Sequence, residues 1–219
     1  MYRWLLLLLL PFLGCVGQRQ IYPLPKGEHA VGVQAGGPLI RLNQTTLPIP
    51  LSAVYGAAGL GKGLLVDGGI HTTALLYQTI FIDPGVQKTW NFPNGLRPGL
   101  NTGLRLNTLT DLRARDWRFY PLVDVNLWWR SAKDHHIGFV GLNHWFDPHV
   151  RQIKEGITYR LWRPALYTGY QHRREDWDFS LEAQWLAPGT DNRFTEVDYR
   201  SIGDQGALGI YLTIQYRFL

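Results

Sequence analysis

The sequence predicts an all-β chain folded as an antiparallel, up-and-down barrel that crosses a membrane. Three observations lead there. Near the C-terminus, Leu208, Ile210, Leu212, Ile214, Tyr216 and Phe218 alternate without a break against Gly209, Tyr211, Thr213, Gln215 and Arg217. A period of two is the signature of a strand with one apolar and one polar face. Such a strand exceeds the five or six residues common in soluble proteins and suits a tilted bilayer crossing of about 9–11 residues. Two upstream segments repeat the pattern with Trp at both ends of the apolar face. Residues 116–130 place Trp117, Phe119, Val123, Val125, Leu127 and Trp129 opposite Arg118, Tyr120, Asp124, Asn126 and Arg130. Residues 176–185 place Trp177, Phe179, Leu181, Ala183 and Trp185 opposite Asp178, Ser180, Glu182 and Gln184. Trp favours the membrane–water interface, so an aliphatic middle with aromatic ends is the order expected across a bilayer.

Composition agrees. The chain has 219 residues, enough for one large domain, and only 18% are charged, against roughly 25% in soluble domains. Aromatic residues reach 13%, with nine Trp and eleven Tyr, while 24 Gly and 13 Pro argue against a helical bundle. The net charge of +5 is too slight to indicate a nucleic-acid partner. One Cys excludes an internal disulfide and a Cys-cluster metal site, and no cofactor motif is present in the sequence.

Residues 1–17 read as an export signal: Arg3, the apolar run Leu5 to Leu10, then Gly14, Cys15 and Gly17. The run is shorter than the ~20 residues of a membrane helix. Two processing sites fit. Leu13-Gly14-Cys15 resembles a bacterial lipobox, which would lipidate Cys15, and small residues at 15 and 17 suit cleavage before Gln18. The lone Cys directly after Leu13-Gly14 favours lipidation. Residues 18–27 then form an extended tether, and 28–219 the barrel.

Strands are expected at about 28–36, 48–58, 62–71, 78–90, 98–110, 116–130, 135–146, 157–171, 176–185 and 207–219. Ten is the expected number, with eight the alternative. In 98–110, Leu100, Leu104 and Leu106 oppose Asn101, Arg105 and Asn107. Pro84 and Pro164 fall inside strands, where a missing N–H weakens pairing or forces a bulge. With the C-terminus in the periplasm, short turns are expected at Gly59–Gly61, Asn91–Arg97, Ser131–Asp134 and His172–Glu175. Surface loops are expected at 37–47, 72–77, 111–115, 147–156 and 187–205.

These features together resemble Gram-negative outer-membrane β-barrel proteins across nearly the whole mature chain. The ending Tyr216-Arg217-Phe218-Leu219 looks like the terminal signal by which such barrels are recognised for insertion, except that Leu219 follows the Phe. The resemblance implies location in the cell outer membrane, lipids as neighbours, and protein partners there. It implies an aromatic girdle of Trp117, Phe119, Trp129, Trp177, Trp185, Tyr216 and Phe218.

A small barrel is filled by its own side chains. Strand parity points Asp67, Asp83, Arg105, Arg118, Asp124, Arg130, Arg163, Asp178 and Glu182 inward, so a mixed-charge lumen network is expected. The expected role is that of a structural or accessory component of an outer-membrane assembly. The alternatives are a narrow gated pore and a hydrolase at the rim. For the last, the rim offers His71, His144, Asp147, His149, Asp111 and Asp116, since acid–base work needs a His beside a carboxylate. Their spacing allows catalysis or a metal at His144, Asp147 and His149 without requiring either, and no catalytic motif marks the chain as an enzyme. Loop 187–205, with Arg193, Phe194, Tyr199 and Arg200, has the composition of a protein interface.

Overall fold

Alternation of apolar and polar residues forces most of this chain into strands, and the ring they form has no free edge. The computed structural model describes residues 17–91, 98–131, 135–148, 151–153, 156–158, 161–193 and 197–219. The expected turn segments 92–97 and 132–134, and the leader apart from Gly17, lie outside the described residues.

The elements are β1 (His29–Leu42), β2 (Thr45–Pro48), β3 (Leu51–Gly61), β4 (Leu64–His71), α1 (Thr72–Leu76), β5 (Thr79–Ile82), β6 (Gly85–Asn91) and β7 (Pro98–Asp111). They continue with β8 (Trp117–Arg130), β9 (His136–Phe146), β10 (Arg151–Ile153), β11 (Gly156–Thr158), β12 (Trp162–Arg174), β13 (Trp177–Asp191) and β14 (Gln205–Phe218). Each barrel strand pairs antiparallel with its sequence neighbours, and β1 pairs with β14 from His29↔Phe218 to Pro38↔Gly209, which closes the ring. β2 and β3 act as one stave, as do β5 and β6, so the described residues form a barrel of ten staves. The small hairpin β10–β11 stands outside it. No described helix is long and apolar enough to cross a membrane; the crossing is by strands.

Local chemistry explains the details. Asp83-Pro84 separates β5 from β6, because Pro84 has no N–H for the ladder. The wall nonetheless continues: the Asp83 N–H donates to the Gly69 carbonyl, and the Leu106 N–H to the Pro84 carbonyl. Pro164 keeps its register opposite His144, and β12 begins pairing with β13 only at Ala165. The β3–β4 turn falls at Lys62-Gly63 rather than Gly59–Gly61, with φ of 52° and 73° at the two central residues, as a two-residue hairpin requires. The expected turn at His172–Glu175 shifts to Glu175-Asp176, again with a positive φ at Glu175.

Two surface loops prove to be partly strand. β1 runs on to Leu42, turns at Asn43 and returns as β2, so 37–47 is a hairpin extension. β13 likewise runs to Asp191. Residues 197–200 brace the first of these extensions: the Arg41 N–H donates to the Asp198 carbonyl, and the Arg200 N–H to the Leu39 carbonyl. Tyr199 is thereby buried with Ala165, Leu186, Ala207 and Tyr211, which caps the loop end of the barrel.

The outer surface is apolar. Val33, Leu104, Leu181, Leu212 and Ile214 are all exposed, a surface that water would not tolerate over such an area. Of the girdle, Trp117, Phe119, Trp129, Trp177, Tyr216 and Phe218 are exposed on the outside, and Trp185 is half-buried on the same face. Register sets their heights: Trp177 pairs with Tyr216 at the turn end, Trp185 with Leu208 at the loop end, and Leu181 with Leu212 midway. Replacing Leu181 with Arg, which puts a charge at the middle of the lipid face, should cost about 2–4 kcal/mol. Urea unfolding in lipid vesicles measures it. An unchanged folding free energy would mean that this face does not meet lipid.

Candidate functional site

Among the described residues, chemistry-bearing side chains converge in the lumen, and the chain's own N-terminal segment occupies it. Residues 18–27, expected as a tether, run up the inside of the barrel instead. Arg19, Gln20, Ile21 and Leu24 are all buried. The reason is volume. Ten staves enclose a wider space than eight, and the wall carries Gly59 and Gly69 where the segment comes against it.

The segment enters where its backbone can touch the wall. The Gly27 N–H donates to the Gly59 carbonyl at 3.0 Å, and the Gly59 N–H to the Glu28 carbonyl at 2.9 Å. A Cβ at Gly59 would stand 2.0 Å from the Pro25 carbonyl oxygen, so only glycine permits this approach. Above the entry, Leu24 packs on Ala30, Ala57 and Leu65. Tyr22 lies between two guanidiniums: Arg130 donates to its hydroxyl at 2.7 Å, and Arg173 sits 4.3 Å from its ring centroid. Ile21 is enclosed by Trp128, Ile137, Phe139 and Tyr167, while its carbonyl accepts from Asn101 at 2.7 Å.

Arg19 is the anchor. Its Nη1 and Nη2 donate to Asp83 Oδ1 and Oδ2 at 2.8 and 2.7 Å, a fork-on-fork pair with both side chains shut off from solvent. Asp83 also accepts the Gly69 N–H at 2.7 Å, and His71 Nε2 lies 2.9 Å from its Oδ2. Arg105 donates to Asp67 at 2.6 Å and comes within 3.6 Å of Asp83. Two arginines thus meet two carboxylates, as buried charges require. Gly69 makes room: a Cβ there would lie 2.8 and 2.9 Å from the two terminal nitrogens of Arg19. The His71 ring stacks on Phe81 at 3.7 Å between centroids, fixing the imidazole against the same carboxylate.

A second group holds the turn end. Asp178 receives Gln215 at 2.6 Å and lies 3.2 Å from Arg173 and 3.3 Å from Arg217. A third lies higher, where Asp124 and Glu182 bind Gln18. The cavity left beside the segment is about 20 Å³, bordered by Gln18, Asp67, Arg105 and Asp124, enough for a water molecule.

Of the inward charges expected from parity, Asp67, Asp83, Arg105, Asp124, Asp178 and Glu182 thus lie in the lumen, with Arg130 at its turn end. Arg118 has inward parity but sits at the rim, 2.9 Å from exposed Asp116. Arg163 is also near the loop end, 3.5 Å from Asp147. The rim candidates do not converge. His71 is inside the lumen, whereas His144 faces outward, its ring beside that of Trp162. Asp147 is buried, Asp111 accepts the N–H groups of Arg113 and Ala114, and His149 lies outside the described residues. In loop 187–205, Arg193 pairs with Asp191, Arg200 donates to Thr46, Tyr199 is buried in the cap, and Phe194 lies outside the described residues. Among the described residues no group of three His, Cys, Asp or Glu side chains could hold a metal. Sequence reasoning missed Arg19, Tyr55, Gly69 and Gln215 as lumen residues. The one signal for them was Gly68-Gly69 within a strand, which marks a close approach by another group.

No protein-family model and no curated protein matches the sequence. Among solved structures, a NanC porin aligns at 11% identity over 85% of this chain and 98% of that one, with a TM-score of 0.43. The translocator domain of the autotransporter NalP from Neisseria meningitidis aligns at 9% identity over 89% and 90%, also at 0.43. The outer membrane protein OprG from Pseudomonas aeruginosa aligns at 10% identity over 90% and 98%, at 0.36. Likeness at this level carries no argument about activity, and the fold rests on the closed ring of paired strands.

Arg19→Ala leaves Asp83 buried without its main partner and should cost about 3–5 kcal/mol. Gly69→Ala, which pushes the guanidinium aside, should be destabilising in the same direction. The double change Arg19→Met with Asp83→Leu should cost less than the two single changes added together. Unfolding free energies in vesicles test all three, and strict additivity would contradict the pairing.

Proposed function

We propose that this chain is an integral outer-membrane barrel kept shut by its own N-terminal segment, a structural or accessory component of an outer-membrane assembly. The observation that carries the reading is the Arg19–Asp83 pair, which holds residues 18–27 across the lumen with no exposure to solvent. An open porin needs a water-filled path, and here the segment occupies the lumen, with a cavity of about 20 Å³ beside Gln18, Asp67, Arg105 and Asp124. The rim side chains that a hydrolase would use point to different compartments: His71 into the lumen, His144 to the outside.

The assembly role draws support from the loop end. Above the level of Trp185, the β1–β2 extension carries Leu42 and Leu47, and the β13–β14 connection Ile202, with their side chains exposed. Apolar groups beyond the aromatic girdle have no lipid to cover them, and a neighbouring protein would.

Planar-bilayer recording separates the readings. The intact protein should give no discrete conductance steps, and a form lacking residues 18–27 should give them. Steady steps from the intact chain would overturn the closed barrel, and brief intermittent openings would favour the narrow gated pore.

A further inference from the structure

Two buried carboxylates lack what every other acid of the lumen has. Asp67 and Asp83 are served by Arg19 and Arg105, and Asp178 by Arg173 and Arg217. Glu28, at the foot of the segment, has Arg217. Asp124 and Glu182 are just as buried, yet among the described residues no Arg, Lys or His nitrogen forms an ion pair with either. Their partners are neutral. Asp124 accepts from the Tyr167 hydroxyl at 2.7 Å, from Asn126 at 3.0 Å and from the Gln18 side chain at 2.6 Å. Glu182 accepts from Gln184 and, at 2.9 Å, from the backbone nitrogen of Gln18. A buried carboxylate without a cation is costly, and lumens pair such groups where they can.

We infer that the peptide bond between Gly17 and Gln18 is the processing site, and that the new α-ammonium of Gln18 is the missing cation, paired with Glu182 and adjoining Asp124. The step is a hydrolysis during export, before the barrel closes. Water adds across the amide, the leader departs with a carboxylate on Gly17, and the Gln18 nitrogen leaves as an amine. At neutral pH that amine is mostly protonated. It then offers Glu182 a charge and three N–H donors where the uncleaved chain offers one. Removal of Gly17, which packs against Gln34 and Tyr211, enlarges the adjoining cavity for a water that can take a further donor.

The same geometry disfavours a lipid on Cys15. Gly17 lies beside Gln34, five positions along β1 from His29 at the turn end of the barrel, about 17 Å at strand rise. Two residues span at most about 7 Å, so residue 15 could not stand at the bilayer surface while Arg19 stays on Asp83, and its acyl chains would have to pass through the filled lumen. The sequence alone allowed both sites. It leaned toward Cys15, while the small residues at 15 and 17 left room for cleavage before Gln18.

The test uses the full-length gene and protein purified from the membrane. N-terminal sequencing with intact mass should give a chain starting at Gln18 with a free amine. A start at Cys15 carrying lipid, or a Gln18 cyclised to the uncharged lactam, would overturn the inference. Acetic anhydride labelling gives the second readout: the α-amine of the folded barrel should react far more slowly than exposed Lys62 and at a comparable rate after heat unfolding. Equal reactivity in the folded barrel would also overturn it. Glu182→Gln should lose that protection. Should that variant not fold, insertion of one Ser after Gly17 displaces the amine from Glu182 and should lose it likewise; retained protection in either variant would count against the pair. None of these outcomes depends on whether the lumen conducts.

Discussion

The pairing of Arg19 with Asp83 organises the interior, because each of its neighbours is there to make that burial tolerable. A guanidinium and a carboxylate taken out of water repay their desolvation only when geometry is good and the remaining donors and acceptors are filled. Asp83 sits where Pro84 interrupts the stave between β5 and β6, with its side chain fully buried. Its two oxygens are then shared among the Arg19 fork, the Gly69 N–H and His71. Gly69 supplies space as well as a donor. Tyr55 lies under the guanidinium at 5.0 Å and passes its own hydroxyl to Gln215, which links the anchor to the Asp178 group on the far seam. The network is continuous across the lumen, and the incoming segment is one of its members.

The outer half of this structure was legible in the sequence, while the inner half was only partly so. Lipid is a uniform solvent, so every outward residue answers to one rule, and the faces Trp117–Trp129, Trp177–Trp185 and Leu208–Phe218 could be read locally. Inward residues answer to partners far away in the chain. Parity alone turns Asp83 and Arg105 inward, but it cannot say that the partner of Asp83 is Arg19, 64 positions earlier. Parity also carries no height, which is why Arg118 and Arg163 joined the inward set although they pair near the rim. Residues 18–27 show no periodicity at all, and Gln-Arg-Gln before Ile-Tyr-Pro looks like a solvated leader. Only the strand glycines Gly68-Gly69 hinted that another piece of chain comes close.

Loop boundaries failed for a related reason. Residues 37–42 and 186–191 have the composition of connections, yet both stay extended: 37–42 exchanges backbone bonds with the capping residues 197–200, and 186–191 stays beside β14, with Leu186 packed under the cap. Tyr199 makes the exchange worthwhile by burying its ring over Tyr211 and Leu186. Such support is tertiary and leaves no periodic trace. The same holds for His71, which a position at the end of β4 suggests is a rim residue. Its burial follows from Phe81 and Asp83 on the adjoining stave.

Where the segment joins the wall bears on how the barrel closes. Gly27 and Glu28 lead without a break into β1, the strand whose pairing with β14 completes the ring. Glu28 reaches across that seam to Arg217 at 2.9 Å, and Arg217 lies 3.3 Å from Asp178 on β13. The foot of the segment and the last pair of strands therefore share charged groups. A closed ring offers residues 18–24 no lateral entrance, and threading Arg19 inward from the end of a finished barrel would drag a charge past Ala30, Ala57 and Leu65. Formation of the β1–β14 seam around a segment already lying against β3 avoids that path. These contacts tie the filling of the lumen to the closing of the wall through shared charged groups.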